Sequence, residues 1–183
     1  ISRLGRPDGS SSYLRLSTRP VDQSLAAVPS DPAARERRRR QVLAGAYIVR
    51  GSQQPAVTLV GMGAMITETL QAAERLAELG IRAEVVCVTS PGRLFEAVQA
   101  RRGLAEAPSW VLDQVFSVER AAPMVTVLDG HPHTLSFLST INRVPSTSLG
   151  VTKFGQAGDL GDIYRYHCID TDSIVRAALD LTE

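Results

Sequence analysis

The chain has 183 residues, 44% hydrophobic and 21% charged, the balance of an ordinary globular chain with one core and some additional sequence. Twenty basic residues against nineteen acidic ones leave a formal net charge of +1, so no global field favours nucleic acid, an anionic membrane or an acidic substrate. No apolar run approaches the roughly 20 residues of a membrane helix, no secretion signal opens the chain, and the two cysteines, Cys87 and Cys168, lack zinc-site spacing. These features predict a cytoplasmic protein with neither nucleic-acid nor membrane partners.

Residues 9–12 are a glycine and three serines, and Tyr13-Leu14-Arg15-Leu16-Ser17 then alternates large and polar groups as a half-buried strand does. A lone strand does not fold alone, and the chain opens at Ile1 without a methionine, so it reads as a piece of a longer polypeptide. Residues 21–32 are rich in Ala, Ser, Asp and Pro without a period, which places a domain boundary there. Residues 1–22 therefore read as the last strand of an upstream domain, 23–44 as a linker and 45–183 as the main domain. Within the linker, residues 33–43 permit a helix. Its run Arg37-Arg38-Arg39-Arg40 is spread around every side and fits a solvated face better than a groove reader.

The main domain begins with strands at residues 46–50 and 57–60, joined by a short polar turn that predicts an antiparallel pair. Ile66, Leu70, Ala73 and Ala77 then recur at helical spacing, with Glu68, Glu74, Arg75 and Glu78 off the stripe and Gly80 as the stop. The nearly continuous apolar run at 83–88 predicts a central parallel strand beside its predecessor. Helices are expected at 93–101, 110–116, 133–141 and 159–167, the last with Ile163 and Tyr166 facing inward, and strands at 124–128 and 146–151. A closing helix carries Ile174, Val175, Ala178 and Leu179 behind an Asp170 or Thr171 cap. This alternation predicts a three-layer α/β/α fold with a mostly parallel sheet of about five strands and an antiparallel first strand.

Candidate chemistry is sparse. Gly61-Met62-Gly63 sits between a strand and a helix, but the third glycine of a dinucleotide fingerprint would fall at Ile66, so a plain turn is expected. Asp129-Gly130-His131-Pro132-His133 lies at the carboxyl end of a parallel strand, where open α/β sheets gather ligands; it reads first as a turn and helix cap with interface histidines, and His131 and His133 are the candidate catalytic residues, as proton carriers in a pocket that a neighbouring domain would supply. Too few further ligands accompany them for a metal site. His167 and Cys168, adjacent on a helical pattern, diverge too far for a nucleophile and its base, and Trp110 reads as a core or interface anchor.

Several segments together resemble the decarboxylating component of 2-oxoacid dehydrogenase complexes, especially the homodimeric pyruvate dehydrogenase type, and more distantly transketolase. Gly45-Ala46-Tyr47, residues 57–63 and residues 83–90 are similar to the opening of the family's carboxy-terminal domain. Val151-Thr152-Lys153-Phe154-Gly155, Asp162-Ile163-Tyr164 and Ile169-Asp170 are similar to its close, and residues 13–20 resemble the last strand of its pyrimidine-binding domain. The resemblance implies a domain of a thiamine-diphosphate enzyme that decarboxylates a 2-oxoacid and acylates a lipoyl group. It further implies that thiamine diphosphate and Mg2+ are bound outside this chain, which alone would be inactive. The implied partners are a second copy in a homodimer, the upstream domains and a lipoyl-bearing acyltransferase. Arg19 could take the place of a family arginine that reaches the substrate channel, as a binder of substrate carboxylate, or form a structural salt bridge to the linker. A transketolase proper and a stand-alone interaction module are the competing readings.

Overall fold

Five strands among the described residues form one sheet in the order β1-β3-β2-β4-β5: β1 (Ala46–Arg50), β2 (Val57–Met62), β3 (Ala83–Val88), β4 (Met124–Val127) and β5 (Ser146–Leu149). The computed structural model describes residues 5–9 and 19–183, so the strand expected at 13–17 lies outside the described residues. β2 pairs in parallel with β3 on one side and β4 on the other, β4 pairs in parallel with β5, and only β1 runs antiparallel. Helices cover both faces, as expected for a three-layer α/β/α fold.

The predicted β1–β2 hairpin does not form. β1 instead pairs with β3, Ala46 opposite Val88, and β3 lies between β1 and β2. The link over residues 51–56 crosses the start of β3, where the Ala56 amide donates to the Arg82 carbonyl at 2.8 Å and Arg82 Nε to the Gln54 carbonyl at 3.0 Å. Six residues reach up to about 20 Å, ample for two strand spacings of about 4.8 Å each. Link length therefore fixed the direction of β2 but not its neighbour.

One face holds α2 (Ile66–Glu78), α6 (Leu160–Tyr166) and α7 (Thr171–Thr182), packed around Leu59, Met65, Leu76, Val85 and Ile174. The other holds α3 (Pro91–Arg101), α4 (Trp110–Val115) and α5 (His133–Ser136), around Val60, Val86, Leu94, Leu112 and Leu138. Each such fully buried side chain contributes about 1.5–3 kcal/mol relative to exposure. α2 buries Glu68, Thr69, Leu70, Ala72, Ala73 and Leu76, whereas Ala77 faces out, so the apolar stripe is rotated from the expected one.

Other expectations are corrected in the same way. Tyr166 is exposed and Tyr164 is the buried tyrosine of α6. α5 is a single α-helical turn followed by a 3-10 stretch (Phe137–Thr140), because the Ser136, Ser139 and Thr140 hydroxyls bond carbonyls three residues back and tighten the chain. Asp170 stands at the N-cap of α7 but accepts from the Ser173 hydroxyl and not from a first-turn amide. β5 stops at Leu149, and Trp110, 37% exposed, is not a core residue.

The linker helix α1 (Pro32–Ala44) has no buried residue and is capped by Asp31, whose carboxylate accepts from the Ala34 amide at 2.7 Å. It ends at Gly45, with φ of 122° and a carbonyl accepting from the Thr89 and Ser90 amides. A Cβ at Gly45 would stand 2.8 Å from the Ser90 carbonyl oxygen and 3.0 Å from Leu94. Gly45→Ala is therefore expected to lower stability by about 1–3 kcal/mol, read as a drop in the urea midpoint at unchanged m; an unaltered midpoint would refute the tight turn.

Candidate functional site

β2 lies between β3 and β4, so the crossover leaving β2 goes one way and the later one returns on the other side. The carboxyl ends of β2 and β4 thus flank a topological switch point, the place where open sheets of this kind gather ligands. On the β2 side the chain turns through Gly63, at φ of 63°, into a 3-10 turn (Gly63–Met65) and α2. Gly61 is pressed against that helix, since a Cβ there would meet Thr69 Oγ1 at 2.6 Å and Ile66 Cδ1 at 3.2 Å. The Gly61-Met62-Gly63 segment is thus a packed strand-to-helix turn.

On the β4 side, Asp129 emerges exposed and His131 and His133 follow, both exposed. Their rings meet edge to face with centroids 5.3 Å apart, and His131 Nδ1 accepts from the His133 backbone amide at 3.3 Å. That bond leaves the His131 proton on Nε2 when the ring is neutral. The two histidines are brought together, as their spacing suggested, but on an open rim.

Arg19 reaches the start of α2 from the linker side. Its Nη1 donates to Glu68 Oε1 at 2.7 Å, and its guanidinium lies 5.8 Å from the centre of the Tyr164 ring. The Glu68 hydrogen bond holds the arginine above its ordinary pKa against the opposing effect of burial. Glu68 is 7% exposed and its Oε2 is buried with no hydrogen-bond partner. A carboxylate in the first turn of a helix is favoured by the helix dipole, so the Arg19–Glu68 pair has two sources of stabilisation. Glu68 and Tyr164 were missed because the α2 stripe and the inward face of α6 were each misphased.

The cysteines offer no nucleophile paired with a base. Cys87 is half-buried opposite Tyr47, and burial pushes its thiol above the ordinary range; burial likewise pushes the Tyr47 hydroxyl up to about 12. His167 stacks edge to face on Tyr166, while Cys168 is exposed at φ of 55°.

A second polar cluster lies at the amino end of the sheet. Glu84, 2% exposed, accepts from Arg120 Nε at 3.1 Å, and burial raises its carboxyl above the usual range against the pull of Arg120. Its signal was an acidic residue inside an otherwise apolar strand. An acid whose folded pKa exceeds its unfolded one stabilises the fold while protonated, and that contribution is lost as pH rises through the folded value. Arg120→Met strands the buried carboxylate, with an expected cost of about 3–5 kcal/mol near neutral pH. The deficit should shrink in buffers acid enough to protonate Glu84; an equal deficit in urea midpoints at every pH would overturn this account.

Residues 45–170 match the family model of the transketolase-like TK C-terminal domain. Among solved structures, the chain is similar to the transketolase from Leishmania mexicana, at 21% identity and a TM-score of 0.60, over 78% of this chain and 18% of that one. It is similar to the transketolase from Campylobacter jejuni at 18% identity and a TM-score of 0.54, over 75% of this chain and 18% of that one. A split-gene transketolase, described as an inactive beta4 tetramer, matches at 19% identity and a TM-score of 0.51, over 76% of this chain and 42% of that one. The chain thus spans less than a fifth of the first two proteins, and at these identities the likeness is one of fold. No curated protein sequence matches it.

Proposed function

Because this chain belongs to the transketolase-like C-terminal domain family, we propose that it is the structural and dimerisation domain of a thiamine-diphosphate-dependent 2-oxoacid dehydrogenase component acting on pyruvate. The parent enzyme decarboxylates the oxoacid and passes the acyl unit to the lipoyl group of an acyltransferase partner, in the cytoplasm and as a homodimer. The family match over residues 45–170 supports a domain of a thiamine-diphosphate enzyme, and the sequence resemblance at residues 45–63, 83–90 and 151–170 is what favours the dehydrogenase.

The described residues do not fit the cofactor. No three His, Cys, Asp or Glu side chains among them cluster as metal donors, and the turn at Gly61 is closed by Thr69 and Ile66. Thiamine diphosphate and Mg2+ belong, in this reading, to the upstream domains, and no chemical step is assigned to residues here. His131 and His133 form part of the rim of the active-site entrance. Replacing either by alanine in the intact enzyme is expected to lower turnover by less than about tenfold, short of the 10²–10⁴ that a general acid or base supplies. A larger loss in turnover assays would make that histidine catalytic.

Arg19 is the residue proposed to reach substrate carboxylate, held in position by Glu68 and Tyr164. Arg19→Ala in the intact enzyme should raise KM about tenfold or more with kcat less affected, the loss expected for a charge-assisted hydrogen bond. Unchanged kinetics with lowered thermal stability would restrict Arg19 to its pair with Glu68.

A second reading, a transketolase proper, is favoured by the three solved structures named above, each titled as a transketolase. A substrate panel on the intact enzyme separates the two. Pyruvate-dependent acylation of a lipoyl domain supports the dehydrogenase, and ketol transfer between sugar phosphates without it supports the transketolase.

A further inference from the structure

Away from the switch point, a cavity of about 500 Å³ opens between the end of α1, the first turns of α3 and the segment leading into α4. Its lining includes Arg40, Leu43, Arg93, Glu96, Pro108 and Trp110. Small-molecule sites have volumes of about 300–1,000 Å³ and combine apolar walls with a few polar groups. Three features define what this one would take.

The first is Trp110. Its helix neighbours Val111 and Leu112 are fully buried, yet Trp110 remains 37% exposed and lines the cavity. An indole with a solvent-facing surface in a concave site is a platform for a flat ring, and Leu43 and Pro108 supply apolar contacts beside it.

The second is charge. Arg40 and Arg93 line the cavity against one carboxylate, Glu96, and neither arginine takes part in the ion pairs found among the described residues. Arg93 spends one Nη1 donor on the Leu43 carbonyl at 3.0 Å, which orients a guanidinium with further donors. Two cations favour an anion in the cavity, while Glu96 opposes a second anionic group and accepts hydrogen bonds from an amino or hydroxyl substituent.

The third is rigidity. Arg93 to Leu43, Gln41 Nε2 to Gln114 Oε1 at 3.2 Å, and the Gly45 carbonyl with the Thr89 and Ser90 amides tie α1 to α3 and α4. The walls are therefore held before any ligand arrives, which lowers the ordering cost of binding.

We infer that this cavity binds a small planar aromatic compound bearing one anionic group, with the ring on Trp110 and the anion between Arg40 and Arg93. The anion could be a phosphate or a carboxylate, and the proposal stands independently of the thiamine reading.

Trp110 is the chain's only tryptophan, so its indole N–H gives one side-chain signal in a ¹⁵N–¹H NMR spectrum. The 183-residue chain is titrated with adenosine 5′-monophosphate, 2-naphthoate, adenosine and inorganic phosphate. A saturable shift of that signal with either aromatic anion is expected, about tenfold or more tighter than with adenosine or phosphate. A response to the mononucleotide alone assigns the site to phosphates, and one to naphthoate alone to carboxylates. Arg40→Gln and Arg93→Gln, both at exposed positions and checked for retained spectral dispersion, should each weaken binding about tenfold. No saturable shift with either anion, equal binding of adenosine, or undiminished binding in both variants would overturn the assignment.

Discussion

Burial of the β2–β3 pair on both faces is the constraint on which the rest of the structure depends. In register, Leu59 lies opposite Val85 and Val60 opposite Val86, so successive side chains feed two separate cores. Leu59 and Val85 pack under α2 and α7; Val60 and Val86 pack under α3 and α4. A sheet covered this way has no wet face, and polar chemistry is driven to its two ends. The switch-point rim and the Glu84–Arg120 cluster occupy those ends.

Those ends differ in character. At the amino end Glu84 is withdrawn from water and matched to a single arginine, an arrangement that fixes the start of β3 against the segment carrying Arg120. At the carboxyl end the histidines lean on each other and on a backbone amide in the open. The histidines of this rim are exposed, and proton transfer there would need a pocket supplied by another domain. The family's fold accommodates such an edge because function resides in sites and not in the sheet that carries them.

The architecture was legible because it rests on strong, local signals. A β-branched run at 83–88 reads as a doubly buried strand, and the apolar periodicity of the last helix survives intact at Ile174 and Ala178. What the sequence hid was non-local. β1 reads as half of a hairpin because nothing in residues 46–60 records that a strand from residues 83–88 will insert beside it. Helix phase failed where a polar residue was buried for a tertiary reason. Glu68 belongs outside by polarity and lies inside because Arg19, far away in sequence, neutralises it; Thr69 is inside because its hydroxyl bonds the Met65 carbonyl. The same limit applies to Arg40, Arg93 and Trp110, which meet only after α1, α3 and α4 are assembled.

The Arg19–Glu68 pair also bears on how the linker relates to the domain behind it. Arg19 precedes the 3-10 turn at Gln23–Ala26 and α1, yet it docks on the first turn of α2, directly after the switch-point strand. α1 itself is held by Arg38, which donates to the Ala26 carbonyl and lies 4.5 Å from the Tyr47 ring. The chain between Arg19 and Gly45 is therefore fastened at both ends, by an ion pair at α2 and by a closed glycine turn at β1, although no residue of α1 is fully buried. Loss of the Arg19 contact would leave Glu68 buried and uncompensated, and removing one partner of such a pair costs far more than the pair contributes. Arg19 and the helix that follows the switch-point strand thus meet in one ion pair, with the Tyr164 ring beside it.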